Sequence, residues 1–184
     1  MTLVLRTAPL ALLATALLAG CSGLQTLTCD MHETRTRGVK PFTQYKFQEP
    51  KPGDTAARSL PAGSTVQAPT YKMQFKPRYG TPCTTLIVQK DVVLLRSPDK
   101  DVVLTEIREV FAEDGTLITT HTQDISEQVL KSGAYVATTP LPIPKAAPDG
   151  KYRVVSKLQQ ERRDRKPALP IARAEGYFYI LPPD

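Results

Sequence analysis

From Tyr71 to Leu181 the sequence is cut into short segments rich in alternating apolar and polar residues, separated by Gly, Pro and Asp. "YKMQFK" sets Tyr71, Met73 and Phe75 against Lys72, Gln74 and Lys76, a period of two that gives a strand one buried and one wet face. "TTLIVQKDVVLLR" (84–96) is rich in β-branched residues and reads as one bent strand or two short ones. "DVVLTEIREVF" and "TLITTHT" flank Ala112-Glu113-Asp114-Gly115, so an Asp-Gly pair stands where a hairpin turns. "GAYVATT", "KYRVVSKLQQ" and "ARAEGYFYIL" bring the count to about seven strands. Such a chain buries its apolar rows by packing sheet on sheet, and the expected fold is an all-β sandwich.

Two segments also fit a helix. Leu104, Ile107, Val110 and Phe111 share one helical face, as do Ile125, Val129 and Leu130 ahead of Gly133. The Asp-Gly turn and the β-branched run after it favour a strand for the first. The second (124–133) reads as a short helix or a loop, and two helices would make the fold α+β.

"PDGKYRV", Pro148 to Val154, resembles the entry to the sixth strand of immunoglobulin-like domains. The resemblance implies a tyrosine corner at Tyr152, whose phenol bonds back to the preceding backbone and fixes the crossover between sheets. Tyr152, Val154 and Leu158 are then expected on the core side, with Arg153, Val155 and Lys157 opposite. The chain has no Trp and no paired core cysteines, so the antibody type is excluded.

Ahead of the strands, residues 21–65 carry "RTRGVKPF", "QEPKPGDT" and "LPAGST", the composition of a proline-rich arm or linker. Tyr45 and Phe47 alternate within it, and the arm either packs them on the domain, expected over 66–184, or is a flexible tether that lifts the domain off the membrane. The first twenty residues read as a signal: Arg6 supplies the positive start, and "APLALLATALL" is apolar but too short to span a bilayer. Leu18-Ala19-Gly20-Cys21 resembles the lipobox of bacterial lipoproteins. That resemblance implies a diacylglyceryl thioether on Cys21, cleavage before it, and acylation of the new amine. Ser22, in place of Asp, implies sorting to the outer membrane, facing the periplasm. No cofactor is called for beyond this covalent lipid.

The formal net charge of +6 would suggest nucleic acid in a cytosolic protein. Loss of residues 1–20 removes only Arg6, leaving +5, and the export compartment holds no chromosome. No nucleic-acid partner is therefore expected. A basic surface there meets lipopolysaccharide phosphates, peptidoglycan carboxylates or an acidic protein.

With Cys21 lipidated, Cys29 and Cys83 remain as an even pair in an oxidising space, and a disulfide between them is expected. Its closed loop would contribute about 4 kcal/mol on the chain-entropy account. The competing reading is a metal site in "CDMHE", where Cys29 and His32 have CxxH spacing and Met31 suits copper. The one other histidine, His121, brings no second ligand pair.

Catalytic patterns are thin. Ser97-Pro98-Asp99-Lys100 matches the Ser-x-x-Lys of penicillin-binding enzymes, and Lys131-Ser132-Gly133 echoes their later Lys-Thr-Gly. The chain contains no Asn, so the Ser-Asp-Asn element is missing, and the two boxes lie too close for that fold. Glu106, Glu109, Glu113 and Asp114 read as a solvated face. No catalytic residue is assigned.

"ERRDRKP" (161–167) lies at the tip joining the last two strands. Arg162, Arg163, Arg165 and Lys166 there could grip phosphates or carboxylates, or simply form a soluble tip. "YFYIL" (177–181) reads as a last strand filling the core rather than as an exposed docking edge. The whole describes a lipid-anchored envelope binding or assembly module. A secretion or pilus accessory lipoprotein, and an envelope enzyme or metal carrier, stand as alternatives.

Overall fold

Two sheets carry the fold of the computed structural model, which describes residues 20–38, 40–49, 59–97, 102–162 and 165–182, without the side chains of 20–27, 162, 165 and 166. The strands are β1 (Gln44–Gln48), β2 (Val66–Lys76), β3 (Tyr79–Gly80), β4 (Thr85–Arg96), β5 (Val102–Phe111), β6 (Leu117–Asp124), β7 (Gly133–Pro142), β8 (Gly150–Arg162) and β9 (Arg165–Ile180). One sheet has the order β1-β7-β4-β2 and the other β3-β9-β8-β5-β6. All pairings are antiparallel except the short β3–β9 ladder. The fold is an all-β sandwich.

The seven expected strands are all present, and residues 85–96 form one continuous strand. β1 and β3 are additional. Tyr45 and Phe47, on β1, both set their rings edge-on to Tyr135 of β7, so the sheet takes in residues from well before Val66. Residues 102–111 are strand β5, and only Ser126–Gln128 of the second ambiguous segment is helical, as a single 3-10 turn. Ile125 and Val129 are buried around it while Leu130 is exposed. The Asp-Gly hairpin forms: Gly115 takes φ +86°, and Asp114 Oδ1 accepts the Thr116 N–H at 2.9 Å.

A helix was not expected either. Helix α1 (Gly20–Thr36) stands in the stretch read as arm. Its described part is held from outside: Cys29 is bridged to Cys83, Glu33 accepts the Lys145 backbone N–H, and Asp30 pairs with the Lys145 ammonium. External clips rather than an amphipathic stripe fix it, so no period in the sequence announces it.

Tyr152 donates its phenol hydrogen to the Pro148 carbonyl at 2.7 Å, four residues back, and its ring stacks on Phe178. Tyr152, Val154 and Leu158 are buried between the sheets. Val155, expected in solvent, is also buried. It sits mid-sheet between Glu109 and Glu175 in register, beside the Lys157–Glu109 and Arg173–Glu175 ion pairs. Long charged side chains on the outer face cover a small apolar one in this way.

Along each central strand the apolar row is interrupted at the same height. One apolar cluster holds Val92, Leu94, Leu104, Tyr135 and Leu158, and a second holds Phe75, Leu86, Val88, Val110, Val154 and Phe178. Between them β4 places Lys90, β5 places Glu106 and Arg108, β7 places Thr139 and β8 places Ser156, all buried. The core is two apolar halves divided by a polar belt.

Candidate functional site

The belt is built from the strand period. Val88, Lys90 and Val92 alternate inward on β4, and Leu104, Glu106, Arg108 and Val110 do so on β5, so the charged groups face each other across the sheets. Lys90 donates to Glu106, both side chains being fully buried. Tyr71 and Ser156 donate to the same carboxylate oxygen, each at 2.6 Å. Thr43 donates to the other oxygen at 2.8 Å and also meets Thr139 at 2.8 Å. Arg108 donates to Thr43 Oγ1 at 2.9 Å and to the Pro41 carbonyl at 2.6 Å.

Burial alone would raise the Glu106 carboxyl. The charge of Lys90, with hydrogen bonds from Lys90, Ser156 and Tyr71, overcomes this and brings it down to about 2. Burial outweighs the attraction of Glu106 for Lys90 and lowers its ammonium to about 8, which leaves it charged at neutral pH. Burial is also the main force pushing the Tyr45 and Tyr71 phenols upward. The belt therefore holds two cations, Lys90 and Arg108, against one carboxylate, Glu106. It carries an excess positive charge inside the fold.

A serine, a lysine and a glutamate in contact invite a catalytic reading. Ser156, Lys90 and Glu106 each have no accessible surface, so a substrate has no approach to them as the fold stands. The belt's chemistry here is internal charge pairing.

An open site adjoins it. The sheets part between β6 and the end of β7, leaving a slot of about 540 Å³. Val110, Tyr152 and Phe178 lie at its base, Pro41, Ile118 and His121 line one side, and Leu141, Ile143 and Ala147 another. Two local features keep it open. β1 pairs with β7 only over residues 134–138, so the last turn of β7, with Pro140 and Pro142, has no strand beyond it among the described residues. On β6 the register slips opposite Val110 and Phe111, leaving Ile118 without a partner on β5 and on the slot's lip, 51% exposed. Leu117 and Phe42 are exposed nearby in the chain. His121 stands at the same side, its imidazole lowered by burial and then by the charges of Arg108 and Lys40.

The residues singled out from sequence are placed as follows. Cys29 and Cys83 form a disulfide across a sequence separation of 54. That bridge takes the Cys29 sulfur from any metal, and His32 instead meets Thr85 Oγ1 at 3.1 Å. Among the described residues no three His, Cys, Asp or Glu side chains come together as a metal site. The Cys21 side chain and those of Arg162, Arg165 and Lys166 lie outside the described residues, as do the whole of Arg163 and the residues before Gly20 that were read as a signal. Of the Ser-x-x-Lys match, Pro98 to Lys100 also lie outside them. Ser132 bonds both backbone polar groups of Arg96, a turn-locking role. Glu113 and Asp114 are exposed and Glu109 pairs with Lys157, but Glu106 belongs to the interior, against its reading as part of a solvated face.

No protein-family model matches the sequence, and no curated protein matches it at a significant level. Solved structures share parts of the fold at low identity. The C-terminal domain of wzt aligns over 83% of this chain and 85% of its own, at 14% identity and a TM-score of 0.45. The CARDB domain of the PF1109 protein from Pyrococcus furiosus, solved with di-metal ions, aligns over 63% of this chain and 94% of its own, at 13% identity and a TM-score of 0.36. The CooA pilin subunit of enterotoxigenic Escherichia coli aligns over 65% and 100%, at 9% identity and a TM-score of 0.32.

Proposed function

We propose that this chain is a lipoprotein of the bacterial envelope, anchored through acylated Cys21 in the outer membrane and facing the periplasm, and that it works as a non-catalytic binding module. The observation that carries the binding role is the slot between β6 and β7, an apolar recess with exposed apolar residues on its lip. Soluble surfaces seldom keep such a recess without an occupant. The lipobox Leu18-Ala19-Gly20-Cys21 supports the anchor, and the Cys29–Cys83 bridge clips the segment after it to the sandwich.

The test has two parts. Intact mass of the membrane-extracted protein is expected to match residues 21–184 plus three acyl chains, with two thiols appearing only after reduction. An unlipidated mass removes the anchor. A photo-crosslinking residue at Ile118 is then expected to give discrete adducts in cells, while one at Lys72, exposed on β2, gives none. Equal labelling at both positions, or none at either, removes the slot as the binding site.

A further inference from the structure

We infer that the slot takes a long-chain fatty acid, its hydrocarbon tail between the sheets and its carboxylate at the His121 side of the mouth. The inference rests on the slot being the binding site and adds the chemistry of the ligand.

Volume and lining set the tail. The walls are almost wholly hydrocarbon, from Val110, Leu141, Ile143 and Phe178, and the volume lies inside the range of about 300–1,000 Å³ typical of small-ligand sites. An acyl chain makes no demand for hydrogen bonds there, whereas a peptide backbone would leave polar groups unpaired against those walls.

Charge sets the head. Among the described residues the belt behind Pro41 holds Lys90 and Arg108 against Glu106 alone, and Arg108 Nε is buried without a partner. Arg108 touches the slot's wall directly, through its bond to the Pro41 carbonyl, and is the register partner of His121 across β5 and β6. Lys40, exposed, precedes Pro41. The positive groups thus gather at one side of an apolar recess, the complement of an anion with a hydrocarbon tail. A carboxylate there balances the belt's excess charge without entering the closed network.

The experiment uses residues 22–184 exported behind a signal peptide that is removed without lipidation, so the chain carries neither acyl anchor nor apolar leader and needs no detergent. It is titrated calorimetrically with sodium palmitate below micelle formation, and with methyl palmitate as the uncharged control. One palmitate per chain is expected, with the ester at least tenfold weaker. Lys40→Glu combined with His121→Glu is expected to weaken palmitate at least tenfold and the ester far less, so that the preference for the acid is lost. Ile118→Trp, on the exposed lip, should change affinity for both. Equal binding of acid and ester overturns the fatty-acid assignment while leaving the slot as a site. Absence of binding by either also overturns it, and the Ile118 crosslinking in cells then decides separately whether the slot binds anything. A dimer in sedimentation that palmitate does not dissociate, and that Ile118→Trp abolishes, would assign the slot to a second copy instead.

Discussion

Lys90 on β4 and Glu106 on β5 meet across the gap between the two sheets, both without accessible surface, and they do so in a belt that also contains Arg108. Because one carboxylate serves two cations, the two halves of the pair are not equivalent. Lys90→Met leaves Glu106 balanced by Arg108, whereas Glu106→Gln leaves two buried cations facing each other. Stripping a buried charge of its counter-ion costs about 3–5 kcal/mol. Glu106→Gln is expected to lose that much in urea unfolding, and Lys90→Met less than half of it. Equal losses would mean that Arg108 does not share the carboxylate.

The same carboxylate fixes how the fold responds to acid. Its folded pKa of about 2 lies below the ordinary 4.5, so the unfolded chain binds the extra proton between those values. The stabilisation is full above about 4.5 and is lost as pH falls toward 2, amounting to about 3 kcal/mol for this group. Urea midpoints measured between pH 5 and pH 2.5 should fall steeply. A flat profile would contradict the buried ionised state.

Cys83 carries the disulfide in a left-handed backbone, φ +65°, a conformation that glycine adopts freely and a cysteine rarely does. Breaking the bridge with Cys29→Ala and Cys83→Ala is expected to lower stability by about 4 kcal/mol on the loop-entropy account. Replacing Cys83 by Gly in the same background should recover about 1 kcal/mol, since glycine adopts that φ without penalty. Thermal melts of the two double variants test the difference.

Tyr152→Phe keeps the ring against Phe178 and removes only the bond to the Pro148 carbonyl. A loss of about 1 kcal/mol is expected by chemical denaturation. Tyr152→Ala removes the packing as well and should cost about 3–5 kcal/mol.

Gly133 starts β7 with φ +156°, and a Cβ there would stand 2.3 Å from Cε2 of Phe47 on β1. Gly133→Ala is expected to push the Phe47 ring off Tyr135 and loosen β1. Faster amide hydrogen exchange over Gln44–Gln48, with the β4–β7 ladder unchanged, would report it.

The strand period, the Asp-Gly hairpin and the Tyr152 corner are local, and a reader of the sequence meets them directly because each depends on residues a few positions apart. The pairing of Cys29 with Cys83 is legible from parity once the lipobox reading sets Cys21 aside. The belt was half written there: Lys90 interrupts Val88 and Val92, and Glu106 and Arg108 interrupt Leu104 and Val110, each at an inward position of a period-two row. What no single segment reveals is that these interruptions fall at one height on opposite sheets, for that depends on the register between β4, β5, β7 and β8. The slot is a product of register too. It exists because β1 stops short along β7 and β6 slips by one residue at Ile118. Helix α1 likewise depends on contacts more than fifty residues away. Local chemistry therefore determined the strands and turns, while long-range pairing decided which polar residues were enclosed and where the sandwich was left open, because burial is a property of what packs opposite a residue and not of the residue itself.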